Sequence, residues 1–118
     1  MNVLVLGAGL VGRPMVLDLA KERLFNITVA DVNKQNLDKI PNEPTIKKIE
    51  CDLSDPDKVK NLLKDCDIVL SAVPGFMGFE TLKQIIHAEK NVVDIAFFPE
   101  DPFELDKLAK QYNVTAVV

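Results

Sequence analysis

The chain has 118 residues, of which 47% are hydrophobic and 27% are charged, so it is long enough for one domain with a substantial core. Its formal net charge is −4, which excludes a general electrostatic attraction for nucleic acid or for an anionic membrane. No apolar run approaches the roughly 20 residues that cross a bilayer, so no membrane partner is expected.

The N-terminus and the cysteines indicate a reducing compartment. The start at Met1-Asn2-Val3 lacks the basic region and the cleavage site of a signal peptide. Cys51 and Cys66 form no C-x-x-C pair and belong to no metal-ligand cluster, so two buried free thiols are expected rather than a disulfide. We therefore expect a cytoplasmic protein without a metal site.

Six short apolar runs predict six β-strands. Most are continuous Val/Ile/Leu runs, as expected for parallel strands that are covered on both faces. The third run contains two lysines, which favours the edge of a sheet. The runs are Val3 to Leu6, Ile27 to Ala30, Ile46 to Ile49, Ile68 to Ser71, Val92 to Asp94 and Val114 to Val117.

Apolar side chains at helical spacing separate these runs. The stripes comprise Val16, Leu19 and Ala20; Val59, Leu62, Leu63 and Cys66; Leu82, Ile85 and Ile86; and Leu105, Leu108, Ala109 and Tyr112. Capping residues mark three helix starts: Asn33 before a short helix to about Lys39, Asp55-Pro56, and a capping box at Asp101-Pro102-Phe103-Glu104.

The alternation of strands and helices predicts the fold class. Parallel strands joined by helices require right-handed crossovers, and no linker or internal repeat divides the chain. We expect residues 1–118 to form one α/β domain, a doubly wound parallel sheet of six strands in a three-layer αβα arrangement, with strand order 3-2-1-4-5-6.

The strongest motif is the glycine turn in VLVLGAGLVG. Gly7, Gly9 and Gly12 form a GxGxxG pattern directly after the first strand and at the start of a helix, which is the fingerprint of the Rossmann dinucleotide-binding fold. The N–H groups of Leu10 and Val11 are expected to face the pyrophosphate, assisted by the positive end of the helix dipole.

Asp31 ends the second strand, 19 residues after Gly12. A carboxylate at this place can accept hydrogen bonds from the adenosine ribose hydroxyls, and it repels the 2′-phosphate of NADP. Val32 is also expected to contact the cofactor, and neither it nor Asn33 supplies an arginine that would reverse this preference. The sequence therefore predicts NAD as the cofactor, with NADP less favoured; the alternative is an aspartate that only shapes a turn.

The end of the third strand is ambiguous. In a dinucleotide-binding domain Asp52 and Leu53 lie near the adenine, where Asp52 could accept from the exocyclic amine. Equally, Asp52 together with Ser54 could cap the following helix. The two interpretations stay open from the sequence.

The segment Ser71 to Gly75 follows the fourth strand, across from the glycine turn. Its Ala72, Val73 and Pro74 are expected beside the pyrophosphate or the nicotinamide ribose, because small residues let a nucleotide approach the backbone. Pro74 biases the residue before it towards an extended conformation.

Three large apolar residues, Phe76, Met77 and Phe79, surround the start of the next helix. Packing at the helix N-terminus is the favoured interpretation; the alternative is a wall of the nicotinamide pocket or a contact with a further domain. His87, the only histidine, is expected at a helix end or on the surface rather than in catalysis.

Three segments resemble the N-terminal domain of the saccharopine dehydrogenase-like family, which includes lysine 6-dehydrogenases, saccharopine reductases and carboxynorspermidine dehydrogenases. They are VLVLGAGLVGRPMVLDLA, SAVPGFMGFETLKQII and KNVVDIAFFPEDPFELDKLAKQYNVTAVV. The pairing of AVPGFMGF with VVDIAFFPEDP is the most specific part, and the lysine 6-dehydrogenase branch looks closest.

The resemblance implies an oxidoreductase of lysine metabolism that exchanges hydride with a nicotinamide cofactor at an amine or imine carbon. It implies roles for the glycines at the pyrophosphate, Asp31 at the ribose, Asp52 at the adenine and the Ala72-Val73-Pro74 loop near the nicotinamide. Asp94 and Phe98 would approach the active site.

The resemblance also implies a C-terminal domain that provides most of the substrate pocket and that this chain lacks. No catalytic residue is predicted within the chain, which we expect to bind cofactor without turning over substrate, and a homodimer stays open. The competing interpretation is a free-standing nucleotide sensor, such as the regulatory domains of potassium transport systems, against which the proline-glycine-aromatic loop and FFPEDP argue.

Overall fold

β1 (Asn2–Leu6) lies at the centre of a six-stranded parallel sheet in the computed structural model, which describes residues 1–95, 100 and 102–118, apart from the side chains of residues 102 and 103. The other strands are β2 (Asn26–Asp31), β3 (Ile46–Glu50), β4 (Ile68–Ser71), β5 (Asn91–Asp94) and β6 (Ala116–Val117). The helices are α1 (Gly12–Lys21), α2 (Lys34–Asp38), α3 (Pro56–Leu63), α4 (Gly75–His87) and α5 (Asp106–Tyr112), with a 3₁₀ turn at Pro102–Leu105.

The strand order is β3-β2-β1-β4-β5-β6, and every neighbouring pair is parallel. This confirms the predicted doubly wound α/β fold and places β3, with its two lysines, at an edge as predicted. The chain moves outward from β1 in one direction through β2 and β3, and from β4 in the other. The switch point of the sheet therefore lies between the carboxyl ends of β1 and β4, where ligands bind in such folds.

Both faces of the sheet are buried, as the continuous apolar runs predict. Val3 and Val5 of β1 belong to one hydrophobic cluster with Val16 of α1, whereas Leu4 and Leu6 belong to a second cluster on the opposite face. Successive side chains of a strand point to opposite faces, so a run without polar residues fills both layers.

The predicted helix caps are present at two of the three positions. The side chain of Asn33 accepts a hydrogen bond from Gln35 N at 2.9 Å, and that of Asp55 accepts one from Asp57 N at 3.0 Å. The third predicted cap, Asp101, lies outside the described residues. The helix expected after it is preceded by the 3₁₀ turn and begins only at Asp106, a common arrangement at helix N-termini.

Two predicted element ends differ from the structure by more than one residue. β6 begins at Ala116 rather than at Val114, because the N–H of Val114 donates to the Ala109 carbonyl at 3.0 Å and thus completes the end of α5, where Asn113 has φ 54°. The helical stripe through Cys66 is also too long, since α3 ends at Leu63.

The two cysteines are free, but they differ in burial. Cys66 is buried as predicted, whereas Cys51 is only half-buried, because it follows the edge strand β3. Burial raises the pKa of both thiols, which favours the neutral, unreactive form. Within the described ranges no group of three or more His, Cys, Asp or Glu side chains could hold a metal ion, and no helix is long and apolar enough to cross a membrane.

Candidate functional site

A cleft of about 480 Å³ opens at the switch point, between the residues that follow β1, β2, β3 and β4. It is lined by Gly7, Gly9, Leu10, Val11, Asp31, Val32, Asn33, Asn36, Leu53, Ala72, Val73, Pro74, Phe76 and Met77. Every residue predicted to bind the cofactor is in this set except Gly12 and Asp52. Among these lining residues Asp31 has the only ionisable side chain, so an anion in the cleft would be held by backbone N–H groups rather than by a cation.

Two of the three glycines are required by close backbone packing. Gly7 has φ +99°, and a Cβ there would lie 2.5 Å from the carbonyl oxygen of Ala72. A Cβ on Gly12 would overlap the carbonyl oxygen of Gly7 and lie 2.8 Å from its carbonyl carbon. The turn after β1 thus packs against both the start of α1 and the loop after β4, and neither contact tolerates a side chain.

Gly9 differs from the other two glycines. Among the residues that the structure describes, a Cβ at this position would meet nothing within 4 Å, although Gly9 lines the cleft. Packing against these residues therefore does not require a glycine here. The open space beside its Cα is what a ligand that approaches the backbone would need.

The start of α1 presents unused hydrogen-bond donors. Val11 precedes the helix without a side-chain cap, and the N–H groups of Leu10 and Val11 have no acceptor in the described part of the chain. From Leu10 onward, the first backbone N–H with an acceptor among the described residues is that of Arg13, which donates to Gly9 O at 3.1 Å. Free N–H groups and the helix dipole together make such a helix start suited to an anion.

Asp31 is fixed between the glycine turn and the start of α2. Its side chain is 8% exposed; Oδ2 accepts from Ala8 N at 2.7 Å and Oδ1 accepts from Asn33 N at 2.8 Å. The turn role that the sequence left as an alternative is therefore present. It does not exclude ligand binding, because a carboxylate has about four acceptor sites and Asp31 also lines the cleft.

Asp52 is engaged elsewhere. Its Oδ1 accepts from the Ser54 hydroxyl at 2.6 Å and from Ser54 N at 3.0 Å, and the side chain is exposed outside the cleft. These hydrogen bonds, led by that of the hydroxyl, hold the pKa of Asp52 below its ordinary value. The helix-cap interpretation of Asp52 is wrong, because Asp55 caps α3; Asp52 instead forms a local turn with Ser54, while the neighbouring Leu53 lines the cleft.

The Asp52–Ser54 contact leads to a prediction about pKa. Ser54→Ala is expected to raise the pKa of Asp52 towards its ordinary value, measured by carboxyl-carbon NMR titration, because the leading hydrogen bond is lost. A carboxyl group whose pKa is lower in the folded than in the unfolded state stabilises the fold at pH values above its unfolded pKa. That stabilisation is lost as the pH falls through the pKa of the folded state. Ser54→Thr keeps the hydroxyl and should keep the low pKa; an unchanged pKa in Ser54→Ala would contradict the assignment.

The apolar residues at the start of α4 do not all pack as predicted. Met77 and Phe79 are half-buried and contact the core, but Phe76 is 84% exposed, so the packing prediction is wrong for Phe76. Its side chain stands in the first turn of α4 beside the open cleft, where the described residues provide no cover. The alternative interpretation, a cleft wall, fits Phe76 and Met77.

The remaining sequence candidates lie apart from the cleft or cannot be placed. Asp94 is buried at the end of β5, opposite Ser71 of β4. Phe98 lies outside the described residues. His87 is exposed at the end of α4, as predicted, and its ring meets Tyr112 edge to face with centroids 5.5 Å apart.

Sequence reasoning missed Asn36 and did not assign Asn33 to the cleft. Asn33 was predicted only as a helix cap, and Asn36 lies three positions further along α2. Because residues three apart share one side of a helix, a cap that faces the cleft is the signal that could have identified Asn36.

Comparison with known proteins gives a family match over most of the chain. The family model described as the saccharopine dehydrogenase NADP binding domain matches residues 3–117. The match supports the dehydrogenase interpretation of the sequence over the regulatory-sensor alternative.

Two relatives and one solved structure define the extent of the similarity. The chain is 28% identical over 116 residues to a saccharopine dehydrogenase [NADP(+), L-glutamate-forming] of Saccharomyces cerevisiae, which covers 98% of this chain and 26% of the yeast protein. It is 29% identical over 104 residues to an uncharacterised membrane protein of Methanocaldococcus jannaschii, which covers 80% of this chain and 31% of that protein. The solved apo structure of the L-Glu-forming saccharopine dehydrogenase from Saccharomyces cerevisiae superposes with a TM-score of 0.81 at 29% identity, over 98% of this chain and 26% of that one.

Proposed function

This chain belongs to the saccharopine dehydrogenase NADP-binding domain family, and we propose that it is the cofactor-binding domain of an oxidoreductase that acts on an amine or imine carbon of an amino acid. One observation carries the proposal: the free N–H groups of Leu10 and Val11, the open space at Gly9 and the carboxylate of Asp31 all line the same cleft. These are the groups that a dinucleotide needs for its pyrophosphate and its adenosine ribose.

The pyrophosphate is proposed to lie against the glycine turn. The N–H groups of Leu10 and Val11 would donate to its oxygens, and the absence of a Cβ at Gly9 would allow it to reach the backbone. Gly12 acts indirectly, since it lets α1 start close to Gly7 and so sets the direction of these N–H groups. When bound, the nicotinamide ring supplies or accepts the hydride.

NAD is proposed as the preferred form of the cofactor. The carboxylate of Asp31 would accept from the ribose hydroxyls and repel a 2′-phosphate. Val32 is 62% exposed beside it, and none of the described lining residues carries a positive charge that would offset the repulsion. The NADP in the names of the family and of the yeast relative describes those proteins, and Asp31 is the reason to propose a different preference for this one.

The other end of the cleft is proposed to receive the nicotinamide half. Ala72, Val73 and Pro74 form the loop between β4 and α4, with Phe76 as an apolar wall. At the adenine end, Leu53 is proposed to provide an apolar contact, since it lines the cleft. Asp52 is not assigned to the adenine, because its side chain is hydrogen-bonded to Ser54.

The chain spans about a quarter of the length of the yeast relative. We therefore propose that a second domain supplies the groups that bind and protonate the substrate, and that residues 1–118 alone bind cofactor without turnover. A role in lysine metabolism and a cytoplasmic location complete the proposal; the free cysteines support a reducing compartment.

Amide NMR can test the location of the site. Titration of the ¹⁵N-labelled chain with NAD is expected to shift the amide signals of Leu10, Val11 and Val32, because these groups line the cleft. The signals of Asn26 and Thr45, at the amino ends of β2 and β3 and so on the opposite side of the sheet from the cleft, should stay unchanged and provide the control. Shifts confined to the amino ends of the strands, or no shifts at saturating NAD, would contradict the proposed site.

A further inference from the structure

Asn36 forms part of the cleft wall beside the carboxylate of Asp31. It lies in α2, is half-buried, and lines the cleft beside Asp31. Its Nδ2 is 3.4 Å from Oδ2 of Asp31, a long hydrogen bond, whereas the same oxygen accepts a short one from Ala8 N at 2.7 Å. Asp31 is therefore already held by the backbone, and Asn36 is not needed to orient it.

The side-chain amide of Asn36 has hydrogen-bonding capacity left over. An asparagine offers two N–H donors and one carbonyl acceptor, and the long contact with Asp31 is its one side-chain hydrogen bond to another described residue. The unused groups lie at the cleft wall next to a carboxylate, which can only accept. A carboxylate and an amide side by side match a hydroxyl group, which donates to the first and accepts from the second.

We infer that Asn36 is a specificity-determining residue of the cleft, where its amide donates to the oxygen of an adenosine ribose hydroxyl whose proton is accepted by Asp31. The inference rests on the proposed function, since it needs a dinucleotide in the cleft. It extends the recognition of the ribose from one side chain to two: Asp31 at the end of β2 and Asn36 in α2.

The variants Asn36→Ala and Gln35→Ala form a matched pair. Both remove an amide from α2, and alanine is a better helix former than either residue, so both should fold. Gln35 is exposed and does not line the cleft. Circular dichroism checks that the two variants keep the fold of the unmodified chain.

Calorimetric titration with three ligands tests the inference: NAD, and NAD analogues that lack either the 2′- or the 3′-hydroxyl of the adenosine ribose. Asn36→Ala is expected to weaken NAD binding about 3- to 10-fold, as for the loss of one neutral hydrogen bond, and Gln35→Ala to leave it unchanged. The weakening should vanish for the one analogue that lacks the contacted hydroxyl.

Two outcomes would overturn the inference while the proposed function stands: unchanged NAD affinity in Asn36→Ala, or an equal loss for NAD and both analogues, which would show that Asn36 acts through the fold. Failure of the unmodified chain to bind NAD would overturn both the inference and the proposed function. This result is distinguished from the other two because it appears before any substitution is made.

Discussion

Gly12→Ala is expected to destabilise the domain more than any other single methyl addition to the glycine turn. The new Cβ would overlap the carbonyl oxygen of Gly7 and lie 2.8 Å from its carbonyl carbon, and backbone atoms cannot move aside as the end of a flexible side chain can. Overpacking typically costs about 1–3 kcal/mol, and we expect a loss of at least about 3 kcal/mol in the free energy of unfolding. Denaturant unfolding measures it.

Gly9→Ala provides the control for this prediction. It adds the same methyl group in the same turn, but no other described residue lies within 4 Å of it, so the unfolding free energy should stay within about 0.5 kcal/mol of that of the unmodified chain. Nucleotide binding should nevertheless weaken, because the methyl group occupies the space left for the pyrophosphate. Equal stabilities of the two variants would contradict the packing described for Gly12, and undiminished binding by Gly9→Ala would contradict the position of the pyrophosphate.

Asp31→Ala is expected to have two separable effects. Removal of the carboxylate leaves the buried N–H of Ala8 without its acceptor, which should lower the unfolding free energy by about 1–3 kcal/mol. It also removes the proposed acceptor of the ribose hydroxyls. Because a hydrogen bond to a charged group contributes about 1.5–3 kcal/mol, NAD binding should weaken at least about tenfold.

The affinity for NADP provides the more specific readout in the same variant. Without the carboxylate the 2′-phosphate is no longer repelled, so the difference between the affinities for NAD and for NADP should become smaller. Asp38→Ala is the matched control: Asp38 ends α2, is exposed and lies outside the cleft lining, so its removal changes the net charge equally. If the difference in affinity became equally small in Asp31→Ala and Asp38→Ala, net charge rather than contact with Asp31 would determine the preference for NAD.

The fold was predictable because its signals are local. Continuous apolar runs such as Val3 to Leu6 predict a strand that is buried on both faces, and their alternation with helical stripes predicts a parallel α/β sheet, for which the glycine turn favours the Rossmann strand order. The glycine turn was equally accessible, since the requirement for Gly7 and Gly12 follows from the closeness of strand, turn and helix that the motif implies.

The parts that sequence reasoning missed depend on contacts between distant segments. Phe76 is apolar, so burial was expected, but its place beside an open cleft is decided by the direction in which α4 leaves β4. Val114 looks like the start of a strand, yet its N–H is used by the end of α5. Asn36 carries no motif, and the role proposed for it depends on the start of α2 lying beside Asp31.

Calorimetric titration of the unmodified chain with NAD and with NADP is the first test of NAD binding through the glycine turn and Asp31. We expect saturable binding of NAD with much weaker binding of NADP. Binding of neither would contradict the cofactor site in this chain, and tighter binding of NADP than of NAD would contradict the role given to Asp31.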